Sequence, residues 1–478
     1  MAGPLVETPP VIDALAPTTA SSGTSAPTGL KVGSGYGLWA LMLLLAINSV
    51  NFIDRTIVNI LSQPIKAELH LDDWQIGLMG GLTFALFYAT LGLPIARLAE
   101  RKSRVNIIAV AVTAWSVMTG LCGLATNYAM LLLCRVGVGV GEAGCSPPAH
   151  SLISDYFGAD RRATALSIFS LGVPVGALIG AVFGGWAGEQ FGWRTTIIMA
   201  AVPGLFLAVL AKLTLREPAR GASEVNAAAA LAADVPSLMD VARRLFSRPT
   251  FWHIAAGATL SSFAGYGIGQ FSAPYFMREF GLGLQTVGLV FGLIGGVSAG
   301  IGTLLGGLLT DAGGKKDRRW YAWVPAIGLI LSAPLYVVGY LEPDWKLAAA
   351  MLIAPGILHY VFLGPSFALT HSMVHPRMRA TSSAVLVLIM TLLGMGLGPL
   401  LVGLGGDILA ANAFVGDFGA LCPGGVAPAT AAASSKAACM QASATGIQQA
   451  IVACSLVYAW AGVHYLLAAK TLRRDTEA

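Results

Sequence analysis

Two stretches of the sequence place ionisable side chains inside otherwise apolar runs. Asn48, Asn51, Asp54 and Arg55 interrupt the run 38–60, and Arg135 and Glu142 interrupt the run 128–152. On a helix, Asn51 and Arg55 share a face with Asp54 beside them, and Arg135 and Glu142 lie two turns apart along one face. Two acids and two arginines on two such helices have the composition of a proton relay. A buried carboxylate keeps or loses its proton according to burial and the cations near it. Protonating Asp54 or Glu142 would release an arginine partner and change which helices attract each other. The same residues also suit a static ion-pair network that fixes helix packing. Two acids within a membrane exceed what packing requires, because buried charge there is costly.

The second half of the chain carries fewer buried charges. Tyr266, Gln270, Tyr275, His359 and Tyr360 are candidates to face a central cavity. His359 suits a polar substrate contact or titrating group, and equally a packing histidine. Aromatic residues in both halves, Phe52, Phe84, Tyr88 and Phe263 among them, suit an amphipathic substrate as well as helix packing. Glu100, Arg101 and Arg104 form one polar cluster between apolar runs, and Asp311, Lys315 and Lys316 form its counterpart in the second half. These read as a cytoplasmic latch in which an acid pairs with basic residues when the molecule is open outward.

The elements that must hold these residues follow from composition. The chain has 478 residues, 55% apolar and only 11% charged, with mean hydropathy +0.71; soluble proteins carry about 25% charge. Runs long enough to cross a bilayer fall at 38–60, 75–98, 105–125, 128–152, 163–187, 194–214, 251–276, 285–309, 320–341, 347–370, 381–410 and 446–468. Of the loop lysines and arginines, twenty fall on one side of these spans and five (Lys66, Arg194, Arg278, Lys346 and Lys436) on the other. Positive charge stays in the cytoplasm, so both termini are expected there, and a nucleic-acid role for the basic balance is excluded.

The sequence also reads twice. Arg162-Ala163-Thr164 and Arg379-Ala380-Thr381 open matching apolar runs, and 96–103 has a counterpart at 307–314. Parallel repeats of this kind belong to transporters whose two halves rock about a site between them. The expected fold is therefore an all-α membrane protein of twelve transmembrane helices in two six-helix, pseudo-symmetric halves. Its expected divisions are a disordered cytoplasmic tail 1–37, halves 38–214 and 251–470, a cytoplasmic linker 215–250, and a tail 471–478. Within the linker, apolar positions 238, 241, 242, 245 and 246 follow helical spacing, the pattern of an amphipathic surface helix. Residues 1–35 lack the basic-then-apolar order of a signal peptide.

Gly172, Gly176, Gly180, Gly184 and Gly188 recur every four residues, a stripe against which another helix can pack closely. Cys422 and Cys439 share the loop 411–445, on the side that permits a disulfide. No Cys/His ligand set exists, so neither a metal nor a cofactor is expected. Gly137-x-Gly139-x-Gly141 lacks the strand-before-helix setting of a nucleotide site. His150 and Asp155 form a two-residue H-x4-D pattern too common by chance to carry an enzyme reading.

At these residues the chain resembles the major facilitator superfamily. Residues 96–104 are similar to its loop motif, with Ala96, Ser103 and Glu100 departing from it; 307–316 is the second copy, departing at Ala312. Arg135 with Gly139 is similar to its span-four motif. A closer resemblance is to the Spinster family, carried by Asn51-Phe52-Ile53-Asp54-Arg55, by Gly139-Val140-Gly141-Glu142-Ala143 with Ser146-Pro147-Pro148, and by Gly192-Trp193-Arg194 and Arg216-Glu217-Pro218. The resemblance implies a proton-coupled secondary transporter of a lysolipid or sphingoid-type substrate. It assigns Asp54 and Glu142 to proton coupling, tuned by Arg135, and Arg55 to coupling or the headgroup; Asn51, Tyr266, Gln270 and His359 stand as substrate or coupling candidates on the reading of the residues alone. The expected setting is a monomer in the bacterial inner membrane, with protons, an amphipathic small molecule or lipid, and the bilayer as partners. A small-solute efflux pump and a membrane-embedded lipid-modifying enzyme are the alternatives.

Overall fold

A hydrophobic run in lipid must satisfy every backbone N–H and C=O internally, and a helix does so without a partner. The computed structural model obeys this throughout the residues it describes: 34–218, 237–375, 378–428 and 430–476 are helices and short connections, with no strand. Ten helices are long and apolar enough to span a membrane. One of them, 164–214, turns sharply at Gly192, whose φ of 76° lies in the left-handed region that glycine tolerates. It therefore supplies spans five and six. Pro249–Phe280, a further helix of 32 residues, is span seven. The described chain thus contains twelve spans, as the pattern of apolar runs predicts.

Several boundaries differ from expectation. Span one is Ser34–Ile60 and begins inside the stretch expected to be a disordered tail; residues 1–33 lie outside the described residues. Span two is two helices, Asp73–Gly80 and Leu82–Arg101, hinged at Gly81. Span four breaks between Tyr128–Glu142 and Ser146–Tyr156, where prolines open the second piece. Span eleven runs from Arg379–Ile389 through a π-helical turn, Met390–Met395, into Leu397–Ala413. The last helix, Ala433–Thr476, begins well before the expected 446, so it absorbs much of the expected loop. Cys439 on that helix forms a disulfide with Cys422. A helix occupies Leu238–Phe246, burying Val241 and Leu245 while Leu238 and Met239 stay exposed. Residues 219–236 of the linker lie outside the described residues.

The glycine stripe has a specific neighbour. A Cβ on Gly176 would sit 2.3 Å from the Ser49 carbonyl oxygen of span one, so these helices meet backbone to backbone. One residue off the stripe, Gly185 faces the other half. A Cβ on Gly288, in span eight Leu284–Gly314, would lie 2.3 Å from the Ala181 carbonyl. Span two meets span eleven in the same way, where a Cβ on Gly77 would lie 2.2 Å from the Pro399 carbonyl. Both seams lie toward the face opposite the termini, where spans two and eight begin.

Candidate functional site

Three polar assemblies occupy different depths of the bundle. The deepest is built by spans one, three and four. Arg55 donates from Nε to Glu142 Oε2 at 2.7 Å, and its second nitrogen lies 2.6 Å from the same oxygen. Its guanidinium also lies 4.4 Å from the centre of the Phe84 ring and 5.0 Å from those of Phe52 and Tyr88, an aromatic cradle for a desolvated cation. Asp54 is buried and accepts from the Thr119 hydroxyl at 3.0 Å. Asp54 Oδ1, Glu142 Oε1 and Arg135 Nε are buried without a hydrogen-bond partner. Arg135 lies over Phe84 at 5.8 Å and forms no ion pair among the described residues. Asn51 is buried on the same span as Asp54 and Arg55.

The sequence expectation paired Asp54 with Arg55 as neighbours. The structure separates them: adjacent residues on a helix point about 100° apart, so Arg55 reaches span four while Asp54 reaches span three. Glu142 is thus the arginine-bound acid, and Asp54 the one held by a neutral hydroxyl. Thr119 lay outside the sequence reading, since a threonine in an apolar run carries no signal until its neighbour is known.

A chamber of about 250 Å³ lies between the halves. Thr56 and Asn59 of span one, and Ala177 of span five, form one wall; spans seven to ten and twelve form the other. Tyr266, Gln270 and His359 line it, as does Tyr360. Tyr275 does not: it donates to the Tyr340 carbonyl at 3.0 Å and accepts from Gln448 at 2.9 Å within the packed core. The Tyr336 hydroxyl meets His359 Nδ1 at 2.9 Å, and Tyr458 stands beside both.

The third assembly joins the halves at the face opposite the termini. Arg278, at the end of span seven, grips Asp73 of span two with two bonds of 2.6 Å and takes Gln63 at 2.9 Å. Lys66 donates to the same Asp73 at 2.6 Å. Burial and the Arg278 charge pull the Lys66 ammonium below its ordinary range, against the opposing pull of Asp73 and Asp407. Two helix starts are capped across the interface. Asp407 of span eleven accepts from the Asp73 and Trp74 amides at 3.1 and 2.9 Å. Glu189 at the end of span five accepts from the Gln285 amide, opening span eight, at 2.7 Å. Spans two and eight are counterparts in the two halves, and so are eleven and five; the caps therefore obey the internal symmetry. Sequence reasoning passed over these residues. The available signal was the short roll of basic residues on the disfavoured side: Lys66 and Arg278 bind Asp73, and Arg194 binds Glu68 at 2.8 Å.

At the face carrying the termini, the ion pairs found among the described residues each stay within one half. Arg104 is buried, pairs with Asp155, and donates to Glu217 Oε1 at 2.7 Å, Ser151 at 2.8 Å and the Pro218 carbonyl at 3.0 Å. Burial alone would raise the Glu217 carboxyl; bonds from Arg104, the Val105 amide and Ser103 outweigh it and hold it below the usual carboxylate range. Arg101 is exposed, and Asp311 accepts from the Tyr321 hydroxyl at 3.0 Å within its own half. The side chain of Glu100 lies outside the described residues. Among the described residues, Arg104 and Asp311 find their partners within their own halves; the expected latch, an acid pairing with basic loop residues when the molecule is open outward, also involves Glu100, whose side chain is not among them.

Comparison with known proteins places this geometry. Residues 44–399 match the family model of the Major Facilitator Superfamily. An MFS-type efflux pump of Mycolicibacterium smegmatis is 31% identical, the match covering 78% of this chain and 85% of the relative. Protein spinster homolog 1 of Xenopus tropicalis is 28% identical over 78% of this chain and 73% of its own. Two crystal structures of a bacterial homolog to the human lysosomal transporter Spinster superpose over 93% of this chain and 99% of theirs. The unoccupied inward-facing form has TM-score 0.84 and 34% identity, the occupied inward-facing form 0.83 and 35%.

Proposed function

The chain belongs to the major facilitator superfamily, resembles its Spinster branch, and is a transporter rather than an enzyme; from that premise we propose that it couples protons to transport of an amphipathic organic substrate by alternating access. One observation carries the reading: two buried acids on facing helices, each with one oxygen that has no hydrogen-bond partner among the described residues, sit with two arginines, of which Arg55 is ion-paired and Arg135 forms no ion pair among those residues. Four fixed charges in perfect balance would leave no buried oxygen free to accept. A group that must accept and release a proton does.

Asp54 is the principal proton carrier, and Glu142 with Arg55 is the ion pair that its charge state biases. Protonated Asp54 rests on Thr119 as a neutral group; ionised, it draws on Arg135 and reorients spans one, three and four against each other. Arg135 supplies the cation that favours return, since an unpaired buried arginine is costly. The chamber containing Tyr266, Gln270 and His359 receives the substrate, with Arg55 and Asn51 near its polar end.

The twenty-to-five division of basic residues supports cytoplasmic termini in the bacterial inner membrane. The joined face is then periplasmic, and the described state is inward-facing, like both crystal structures of the bacterial Spinster homolog. Residues 38–214 and 251–470 act as the rocking halves of a monomer, the segment 215–250 as their cytoplasmic linker. On the same premise Arg101, Arg104, Glu100 and Asp311 re-pair across the cytoplasmic mouth when it shuts. A lysolipid or sphingoid amphiphile is the substrate class that the resemblance of the sequence motifs to the Spinster family implies. A second reading, efflux of small organic solutes, is favoured by the name of the M. smegmatis relative.

Purified protein in liposomes loaded with a pH-sensitive dye tests the coupling. Adding lysophosphatidylcholine, sphingosine or 7-hydroxycoumarin one at a time is expected to evoke proton movement with at least one of them, and none with Asp54→Asn. Substrate movement with no accompanying protons would overturn the coupling.

A further inference from the structure

Between spans eleven and twelve the chain builds a small unit of its own. Cys422, Ala427 and Cys439 are buried together, with Phe414, Phe418 and Ala431 packed around them. Two of those three buried residues are the two ends of the disulfide. Apolar burial on this scale cannot offset the entropy of ordering a loop. The cross-link supplies the order instead, by restricting what the free loop could do. It fixes the place of Cys422, and the turn Cys422–Gly425 follows from it: the Gly425 amide donates to the Cys422 carbonyl at 2.8 Å. Gly424 and Gly425 both take left-handed backbone, with φ of 64° and 72°, which glycine tolerates.

The tip of this turn lies on the opposite half. A Cβ on Gly424 would fall 2.8 Å from the His70 carbonyl carbon and 2.9 Å from the Leu71 carbonyl oxygen, in the connection between spans one and two. A Cβ on Gly425 would fall 3.2 Å from the Lys66 nitrogen and 3.1 Å from the Ser443 hydroxyl. Those two groups flank the Arg278–Asp73 pair: Lys66 donates to Asp73, and Arg278 donates to Ser443 at 3.2 Å. Lys66 is only 2% exposed, although it lies between two spans. The shelf that receives the turn is itself anchored. Glu68, in the helix Ser62–Leu69, accepts from the Trp193 indole at 2.6 Å and pairs with Arg194 at 2.8 Å, both in its own half. The turn is therefore carried by spans eleven and twelve, and the shelf by spans one, two and six. Neither can follow the other when the halves part.

We infer that the disulfide-held turn Cys422–Gly425 is a clasp across the face opposite the termini, which must lift off the span one–two connection before that face can open. The inference goes beyond the coupling proposed above and rests only on its alternating-access premise. Seated, the clasp keeps the Gly425 backbone over Lys66 and keeps water from the ion pairs beneath. Lifted, it admits water, whose high dielectric weakens the contacts among Arg278, Asp73 and Lys66. The turn touches the shelf only in the described arrangement, so it biases the balance of states toward that arrangement. Without the cross-link the turn loses its fixed position, and the bias goes with it.

The test is a spin-label distance across that face in the purified full chain, at one fixed pH. Cys422→Ala with Cys439→Ala removes the cross-link and leaves the tip of the turn as it is. Gly424→Ala keeps the cross-link and drives a methyl into the shelf. Both are expected to shift the population toward the longer distance. Gly419→Ala lies in the same loop, where a Cβ meets only Asp417 at an ordinary 3.5 Å, and is expected to keep the wild-type distance. Wild-type distances in both the double cysteine variant and Gly424→Ala would overturn the inference, as would an equal shift in Gly419→Ala. If the melting temperature shows that the double variant does not fold, Gly424→Ala decides alone. Gly288→Ala separates this inference from its premise. A face that opens in Gly288→Ala but in neither clasp variant refutes the clasp alone. A face that opens in none of them refutes alternating access, and the clasp with it.

Discussion

Arg55 and Glu142 are eighty-seven residues apart in sequence and share a single oxygen at 2.6 Å. Neither can lose the other cheaply. Removing one partner of a buried pair strands a charge and costs about 3–5 kcal/mol, whereas removing both is often close to neutral. Arg55→Met and Glu142→Gln should therefore each lower the melting temperature clearly, and the double variant should recover much of the loss. Thermal unfolding of the four proteins in one detergent measures the coupling; additive losses would show that the pair contributes nothing to the fold. At this scale the residue types were legible and the partners were not. Asp54, Arg55, Arg135 and Glu142 stand out because charge is rare in apolar runs. Which acid meets which arginine depends on helix rotation, and that is set by packing among spans one, three and four. Thr119 became visible only when its hydroxyl was seen on Asp54.

The spans themselves were legible because twenty consecutive apolar residues have few other fates. Their breaks were less so. The hinge at Gly81 and the π-turn Met390–Met395 face each other across the interface, and a Cβ on Gly81 would lie 2.7 Å from the Gly396 carbonyl. The glycine stripe announced a close neighbour without saying which, and Gly185, off the stripe, proved to serve the other half. That contact yields a prediction at the scale of helices. Gly288→Ala would drive a methyl into the Ala181 backbone, 2.3 Å from its oxygen, and neither backbone can yield without separating spans five and eight. The substitution should open the face opposite the termini and shift the population away from the described state. Gly295→Ala on the same helix, with open space around it, should change nothing. Spin-label distances across that face distinguish them; equal distances in both variants would sink the assignment of Gly288 to the interface.

At the scale of the whole molecule, the two halves are held together at the face opposite the termini. The hold is built by symmetry: Asp407 caps the start of span two, and Glu189 the start of span eight. Each acid meets the positive end of a helix in the opposite half, an interaction worth about 0.5–2 kcal/mol as a cap. Asp407→Asn with Glu189→Gln should therefore weaken the described state about additively, since the two caps bind different helix starts and share no partner among these bonds. Accessibility of cysteines placed at the chamber wall to a membrane-impermeant reagent added from outside reports it. Labelling that stays at the wild-type level in the double variant would show that the caps do not hold the gate. The repeat in the sequence foretold two halves. It did not foretell their contacts, because Asp407 and Glu189, though both acids, stand in unlike sequence settings, and only the folded interface brings each to a helix start.

On the proposed coupling, the charge on Asp54 sets the balance between the described arrangement and its opposite. The most direct measurement is a set of pulsed spin-label distances, one across each face, taken between about pH 5 and 8, the range that buried carboxylates reach. Wild-type protein is expected to exchange the described distances for the opposite set as pH changes. Asp54→Asn, permanently neutral, is expected to hold one distribution at every pH while Asp73→Asn, which loosens the far face, still responds. A pH response in Asp54→Asn equal to that of the wild type would contradict the account and leave Asp54 as a packing residue hydrogen-bonded to Thr119.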